Sequence, residues 1–196
     1  MKTASEDIYQ RVDTLGDGVH RVSMLRDLLE KNRSEICKLW SDLVFETYPH
    51  DSSKFLRTQS NRFANPVGAA ISNGVDKLYN VLVQGVDSQS EEVCLILDSI
   101  IRIRAVQEFS PANAVGFVFL LKKAVRQVFE REITQNQLLD ELLKFESQID
   151  NMALQGFNIY MQCREKIFQI RATEIRNRTS RILERACQKY GMPHEW

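Results

Sequence analysis

The chain has 196 residues, with 26 basic and 26 acidic side chains, and 43% of its residues are hydrophobic. This balance excludes a largely disordered chain, and the length allows one domain whose core needs neither disulfide nor metal. The 8 glycines and 4 prolines make up about half of their ordinary share. So few turn residues argue against a barrel or sandwich, and we expect an all-α protein.

The sequence carries no signal for a membrane or for secretion. It has no run of 18 apolar residues, and its polar N-terminus lacks the apolar region of a signal peptide. We therefore expect a cytoplasmic protein without membrane contact. Zero net charge argues against nucleic acid as a partner. The four cysteines are far apart in the sequence, as is typical of reduced thiols: Cys37, Cys94, Cys163 and Cys187.

The first predicted segments are an N-terminal arm and a helical region. Residues 1–21 are polar and contain two close glycines, which indicates a loose arm or a short helix. Apolar residues then recur at spacings of 3 and 4 over residues 22–48, which predicts helix. Asn32 and Glu35 could restart this helix as a capping box. A short turn over residues 54–60 follows Pro49.

Asn65 and Pro66 predict the next helix start. Asparagine is a good N-cap, and proline at the first helical position loses only an N–H that would be unpaired. We expect this helix to end near residue 84, before Gly85. Ser88 with Glu91 has the form of a second capping box and predicts a helix to about residue 107.

Ser110 and Pro111 repeat the cap-and-proline pattern. The following residues are apolar on most sides, so we predict one central core helix over residues 111–133. Thr134 with Gln137 is a candidate cap for the last helix.

The last helix is predicted to be long and unbroken. Residues 135–189 contain no proline and one glycine, so an unbroken helix would be roughly 80 Å long. Its first half has the apolar pattern of a core helix. Its second half, in an extension over residues 166–196, has the weak seam of a marginal coiled coil. The seam residues, which we predict to form a dimer and signalling helix, are Phe168, Ala172, Ile175, Thr179 and Ile182.

Charge is divided between the body and the rod. Residues 164–196, which we call the rod, hold eight Lys or Arg and four Glu, so the net charge of the rod is about +4 and that of residues 1–163, the body, is about −4. Because glutamates lie among its basic residues and aromatic residues are few, a solvated coiled-coil flank is the favoured interpretation. Docking on an acidic partner, nucleic acid or acidic lipid is the alternative.

No constellation of residues indicates catalysis. The 3 histidines lack partners at metal-ligand spacing, and nucleotide and metalloprotease motifs are absent. We expect no catalytic, metal or cofactor-binding residue, and no enzyme activity. One polar cluster breaks the apolar helices and is a structural clamp or a site for an anion or partner beside the Pro111 helix: Asn65, Arg102, Arg104 and Gln107.

Four short motifs carry a family resemblance: Phe63–Gly68, Ile103–Gln107, Phe109–Pro111 and Ala114–Phe117. In this order they resemble the RsbRD N-terminal domain family over about residues 22–165. These domains are input modules of stressosome co-antagonists and of some histidine kinases. The resemblance implies a globin-like helical bundle without haem, usually dimeric, whose long C-terminal helix leads to an output domain.

The resemblance implies a non-catalytic cytoplasmic sensory module in bacterial signal transduction, acting through a homodimer and a signalling partner. It supplies no catalytic residues. A haem would need a histidine near the helix at 88–107, which has none, so no haem is expected. No output domain is expected before Trp196. The alternatives are a small-ligand or haem-binding globin-like protein and an assembly adaptor whose basic rod docks on a partner.

Overall fold

A computed structural model describes residues 25–58, 63–135 and 138–191, and all regular secondary structure in these ranges is helical. The predicted all-α bundle with a long C-terminal helix is thereby confirmed. The predicted N-terminal arm lies outside the described residues. After helical residues 25–31 come α1 (Arg33–Glu46), α2 (His50–Thr58), α3 (Pro66–Val83), α4 (Glu91–Val106), α5 (Pro111–Gly116), α6 (Leu120–Val128), α7 (Glu130–Gln135) and α8 (Leu139–Tyr190).

The core lies where six helices meet. The first half of α8 packs on α4 and α5, α3 packs on α4, and α1 packs on α3 and α6. Their apolar faces form one continuous buried cluster. Members that are completely buried include Trp40, Ile71, Leu78, Leu97, Ile100, Leu121 and Met152. In the described parts of the chain, no helix is both long and apolar enough to cross a bilayer.

Two helix starts are confirmed with the predicted caps. The Asn65 side chain accepts a hydrogen bond of 2.8 Å from the Gly68 N–H, with Pro66 as the first residue of α3. The Ser110 hydroxyl accepts from the Asn113 N–H at the start of α5. Each cap satisfies an N–H that the helix itself leaves unpaired.

Two predicted caps are wrong. The cap of α4 is Ser90, whose hydroxyl accepts from the Val93 N–H, and not Ser88. Asn32 does precede α1, but its side chain donates to the Leu28 carbonyl, so it makes no capping bond to the new helix. The predicted capping box therefore places the start of α1 correctly, but the Asn32 side chain does not form the capping hydrogen bond.

The start of α8 also differs from the prediction. Thr134 lies inside α7 rather than at a cap, and Gln137 is outside the described residues. The helix begins at Leu139, and Leu138 at the N-cap makes no side-chain capping bond. The short turn expected at 54–60 is helix α2, which begins earlier, at His50.

The single helix predicted over residues 111–133 is broken into α5, α6 and α7. At the first break, backbone N–H groups bond carbonyls three residues back instead of four, as in Phe119 to Gly116 and Leu120 to Phe117. The Phe117 carbonyl also accepts a 2.7 Å hydrogen bond from the Trp40 indole. This long-range bond supplies the tightened turn with a partner that sequence periodicity cannot show.

The predicted long last helix is confirmed as one unbroken helix. α8 has 52 residues, which corresponds to about 78 Å. Gly156 lies within van der Waals range of α4 and α5, because an added Cβ would be 3.1 Å from Ile101 and 3.4 Å from Val115. The helix ends at Gly191, in the left-handed conformation that suits a C-terminal glycine.

We expect Gly74→Ala to destabilise the protein by about 1–3 kcal/mol, the usual range for overpacking. A Cβ at Gly74 of α3 would lie 2.6 Å from the Ile100 Cδ1 atom, and Ile100 is completely buried. Gly116→Ala is the matched control, since nothing lies within 4 Å of its added Cβ. Urea denaturation measures both variants, and equal stability for the two would contradict the prediction.

Candidate functional site

An arginine at the end of α4 lies in a cage of aromatic rings. The Arg104 side chain is completely buried. Its guanidinium carbon lies 4.4 Å from the ring centre of Phe109, 5.0 Å from that of Tyr48 and 5.7 Å from that of Phe117. These distances are within the range of cation–π attraction.

Only one nitrogen of this guanidinium is hydrogen-bonded. Nη2 donates to the Thr47 hydroxyl at 2.7 Å and to the Asn113 carbonyl at 2.9 Å. The buried Nε and Nη1 atoms form no hydrogen bond of ordinary geometry, and neither does the Tyr48 hydroxyl. The hydroxyl and the guanidinium are nevertheless close enough for their interaction to lower the Tyr48 pKa and to oppose the lowering of the Arg104 pKa. Across residues 25–58, 63–135 and 138–191, no carboxylate forms an ion pair with Arg104. The cage therefore holds a positive charge that no acidic side chain of the described residues neutralises.

Burial dominates the electrostatics of the cage. It lowers the pKa of Arg104 and raises the pKa of Tyr48, while the neighbouring Arg104 charge lowers the Tyr48 pKa in part. An arginine nevertheless stays protonated in proteins. Because a buried cation without a counter-charge is costly, this arrangement favours a negatively charged or strongly polar ligand near Tyr48.

A cavity of about 470 Å³ opens beside the cage, between α2, the start of α3 and the end of α4. Tyr48 lines the cavity and also contacts Arg104, and the predicted site residues Asn65 and Gln107 line it too. Asn65 is also structural, because its amide donates to the Leu56 carbonyl at 3.0 Å. The structure thus brings Asn65, Gln107 and the Arg104 cage to one end of the bundle.

Arg102 does not belong to this site. It is exposed and pairs with Asp98, one helical turn earlier, at 2.7 Å. This hydrogen bond raises the Arg102 pKa. Residues 102 and 104 lie about 200° apart around a helix, so the two arginines of the predicted cluster lie on different sides of α4. Gln107 is likewise exposed.

The connection after α4 contacts both the cage and α8. Phe109 contributes its ring to the cage, and its carbonyl accepts a 2.7 Å bond from the Tyr160 hydroxyl of α8. Glu108, a non-glycine residue with a positive φ of 62°, pairs with Arg171 at 3.1 Å. The Ala105 carbonyl accepts from Arg164. Residues 105–109 therefore join the cage to the rod.

The second half of α8 is exposed to solvent. All five predicted seam residues, from Phe168 to Ile182, are exposed. Phe168 is 73% exposed, which is a large apolar area for one side chain. The seam therefore has no partner within the described parts of the chain.

The thiols are free, and Cys37, Cys94 and Cys163 each lie near a polar side chain. Cys94 accepts a hydrogen bond from the Gln155 amide at 3.1 Å. Cys163 lies beside Asp98. Burial, and to a lesser extent the negative charge of this carboxylate, raises the pKa of the Cys163 thiol. Cys37 is buried in the core, where desolvation above all raises its pKa to about 12. These surroundings disfavour a reactive thiolate at Cys37 and Cys163.

We expect the stability to fall as the pH rises above 9, in part because of Cys37. Its pKa is about 12 in the folded protein against 9.0 for the free thiol, so unfolding releases a proton in this window. The Cys37 contribution, complete below pH 9, is lost at up to about 1.4 kcal/mol per pH unit. Urea denaturation between pH 8 and about 11 should show a shallower fall for Cys37→Ala. The same slope in both proteins would contradict this origin.

Comparison with protein families identifies one match. The model of the RsbT co-antagonist protein rsbRD N-terminal domain matches residues 34–175, from α1 into the rod. The match therefore includes the cage, the cavity and the half of α8 that packs on the other helices. Searches of curated proteins and of solved structures find no match. Because the family model covers well over half of the sequence, the chain belongs to the RsbRD N-terminal domain family.

Proposed function

We propose that this protein is a non-catalytic, cytoplasmic regulatory module of stressosome-type signalling, in which the body receives a signal and α8 passes it to a partner protein. The observation that carries the proposal is the connection at residues 105–109, which contacts both the Arg104 cage and α8. α8 itself runs unbroken from the buried core into the exposed rod. A displacement of Phe109 would therefore move contacts on the rod.

A ligand at the cage is the input that the geometry favours. Tyr48 lines an open cavity, and its ring contacts the Arg104 guanidinium, whose buried Nε and Nη1 atoms form no hydrogen bond of ordinary geometry. A small carboxylate or phosphate could reach these groups after a rotation of the Tyr48 ring. Binding would supply the negative charge that the cage lacks, and the ring shift would reach α8 through Phe109.

A ligand screen with two measurements tests the input. Thermal unfolding is measured with inorganic phosphate, acetate, citrate and glycerol 3-phosphate. A binding anion should raise the Tm of the wild type but not that of Arg104→Met. Hydrogen exchange of residues 164–190 should then change on binding. An anion that raises both Tm values equally, or that leaves rod exchange unchanged, would contradict the coupling.

We also propose a homodimer, formed by residues 154–161 of α8 rather than by the predicted seam from Phe168 to Ile182. Leu154, Phe157 and Met161 are exposed there on one side of the helix. The neighbouring Gln155 and Gln162 are uncharged, so two copies can approach without repulsion. Apolar side chains that recur at spacings of 3 and 4 are suited to helix pairing.

Sedimentation equilibrium tests the dimer. Leu154→Glu with Met161→Glu should convert the dimer into a monomer, because charged groups would be buried between the helices. Thr173→Glu with Asn177→Glu adds the same charge to exposed positions further along α8 and should leave the dimer intact. A wild-type chain that remains monomeric at high concentration would remove this part of the proposal.

A further inference from the structure

The rod carries two columns of side chains that each repeat every seven residues. Arg164, Arg171, Arg178 and Arg185 form the arginine column. The apolar column consists of Leu154, Met161, Phe168, Ile175 and Ile182. The apolar residues are exposed by between 50% (Met161) and 73% (Phe168). A strict repeat of seven is the period of a coiled coil.

The register of the rod follows from these columns. With the apolar column at heptad position d, the small residues Ala172, Thr179 and Ala186 occupy position a. The arginine column then occupies position g, which flanks the seam and decides the choice of partner.

The glutamates of the rod do not neutralise that flank. Glu174 falls at position c and Glu184 at position f, both away from the seam, and Glu165 falls at position a. On the other flank, position e holds Gln169, Arg176 and Leu183. Within the rod itself, the borders of the apolar seam therefore hold only basic or neutral side chains over residues 164–185. Arg171 already pairs with Glu108 of the body, so Arg178 and Arg185 are the column members furthest from that carboxylate.

A second copy of the rod fits this seam poorly. In a parallel pair, position g faces position e of the next heptad in the other helix, so Arg171, although paired with Glu108 of its own body, would meet Arg176 of the second copy. In an antiparallel pair, g faces g, and arginine would meet arginine. Both arrangements place like charges together, which destabilises a coiled coil.

We propose that the seam binds a helix of a partner protein that carries acidic residues at its own e and g positions, forming a heterotypic coiled coil over residues 164–186. The inference deepens the proposed function, because it assigns the chemistry of the partner that the rod contacts. The small residues at position a also favour a partner with large aliphatic side chains at the facing positions, which would fill the space that alanine leaves.

The test uses the full chain and designed probes. Two fluorescein-labelled four-heptad peptides have isoleucine at a and leucine at d; one has Glu at e and g, and the other has Gln there. We expect the acidic peptide to bind about tenfold more tightly than the neutral one at low salt, with the difference shrinking as salt is added. Fluorescence anisotropy measures both affinities.

A matched pair of variants locates the binding face. Arg178→Glu with Arg185→Glu reverses two arginines of the column, whereas Lys166→Glu with Arg181→Glu makes the same change of net charge at positions b and c. All four side chains are exposed in the rod. The first variant should lose its preference for the acidic peptide, and the second should keep it. Circular dichroism checks that both remain helical.

Three outcomes would overturn the inference. The first is equal affinity of the chain for the two peptides, and the second is an equal loss of preference for the acidic peptide in the two variants. The third is that the chain binds duplex DNA more tightly than the acidic peptide and that reversing Arg178 and Arg185 does not change peptide binding. These results are independent of the proposed function. A chain that binds the acidic peptide but shows neither the Leu154–Met161 dimer nor anion binding would keep the inference and remove that function. The reverse pattern would remove the inference alone.

Discussion

Replacing Arg104 with alanine is expected to lower the free energy of unfolding by about 3–5 kcal/mol, whereas methionine should cost less than about 1.5 kcal/mol. Alanine leaves a cavity among the rings of Tyr48, Phe109 and Phe117. Methionine fills most of that volume and removes a buried cation that has no carboxylate partner among the residues that the structure describes. Thr47 keeps a partner in either variant, because its hydroxyl also donates to the Val44 carbonyl.

Urea denaturation of both variants measures this contrast. Arg102→Met is the control, since its exposed pair with Asp98 should be worth no more than about 0.5 kcal/mol. If methionine at position 104 were as damaging as alanine, the guanidinium would be a structural clamp that the fold requires. A small effect of methionine on stability combined with the loss of anion binding would identify Arg104 as a residue kept for recognition.

The division between Arg102 and Arg104 was within reach of the sequence. Leu97, Ile100, Ile101 and Arg104 follow one another at helical spacing, so position 104 belongs to the buried face of α4 and position 102 does not. The contrast with the apolar sequence around them marks these polar residues as a cluster. Helical phase within the cluster would have assigned the two arginines to opposite sides.

Other parts of the site have no local signal. Thr47 and Tyr48 lie far from Arg104 in the sequence, and only the packing of α1 against its neighbours brings them to the cage. The caps at Asn65 and Ser110 were predictable because a cap acts within three residues of its own chain. The break after α5 was not, since it coincides with a bond between residues 40 and 117.

The second large effect is expected at Trp40, whose indole donates a hydrogen bond to the Phe117 carbonyl. Trp40→Ala is expected to destabilise the protein by about 3–5 kcal/mol, because the completely buried indole fills the core between α1 and α6. Its ring also stacks near that of Phe117, with centroids 6.5 Å apart. Phe117 is a wall of the Arg104 cage, so the same substitution should weaken anion binding without touching the cavity.

Trp40→Phe separates packing from hydrogen bonding. Phenylalanine keeps an aromatic ring but cannot donate to the Phe117 carbonyl, so we expect a smaller loss of about 1–3 kcal/mol from that unpaired buried group and from reduced packing. Urea denaturation gives the two stabilities, and hydrogen exchange at the N–H groups of residues 118–121 reports on the tightened turn. If the indole bond holds this break, exchange there should accelerate in Trp40→Phe more than in the rest of α6. Uniform acceleration along α6 would instead mean that Trp40 contributes only its volume, and that the residues at the break adopt their turn independently of α1.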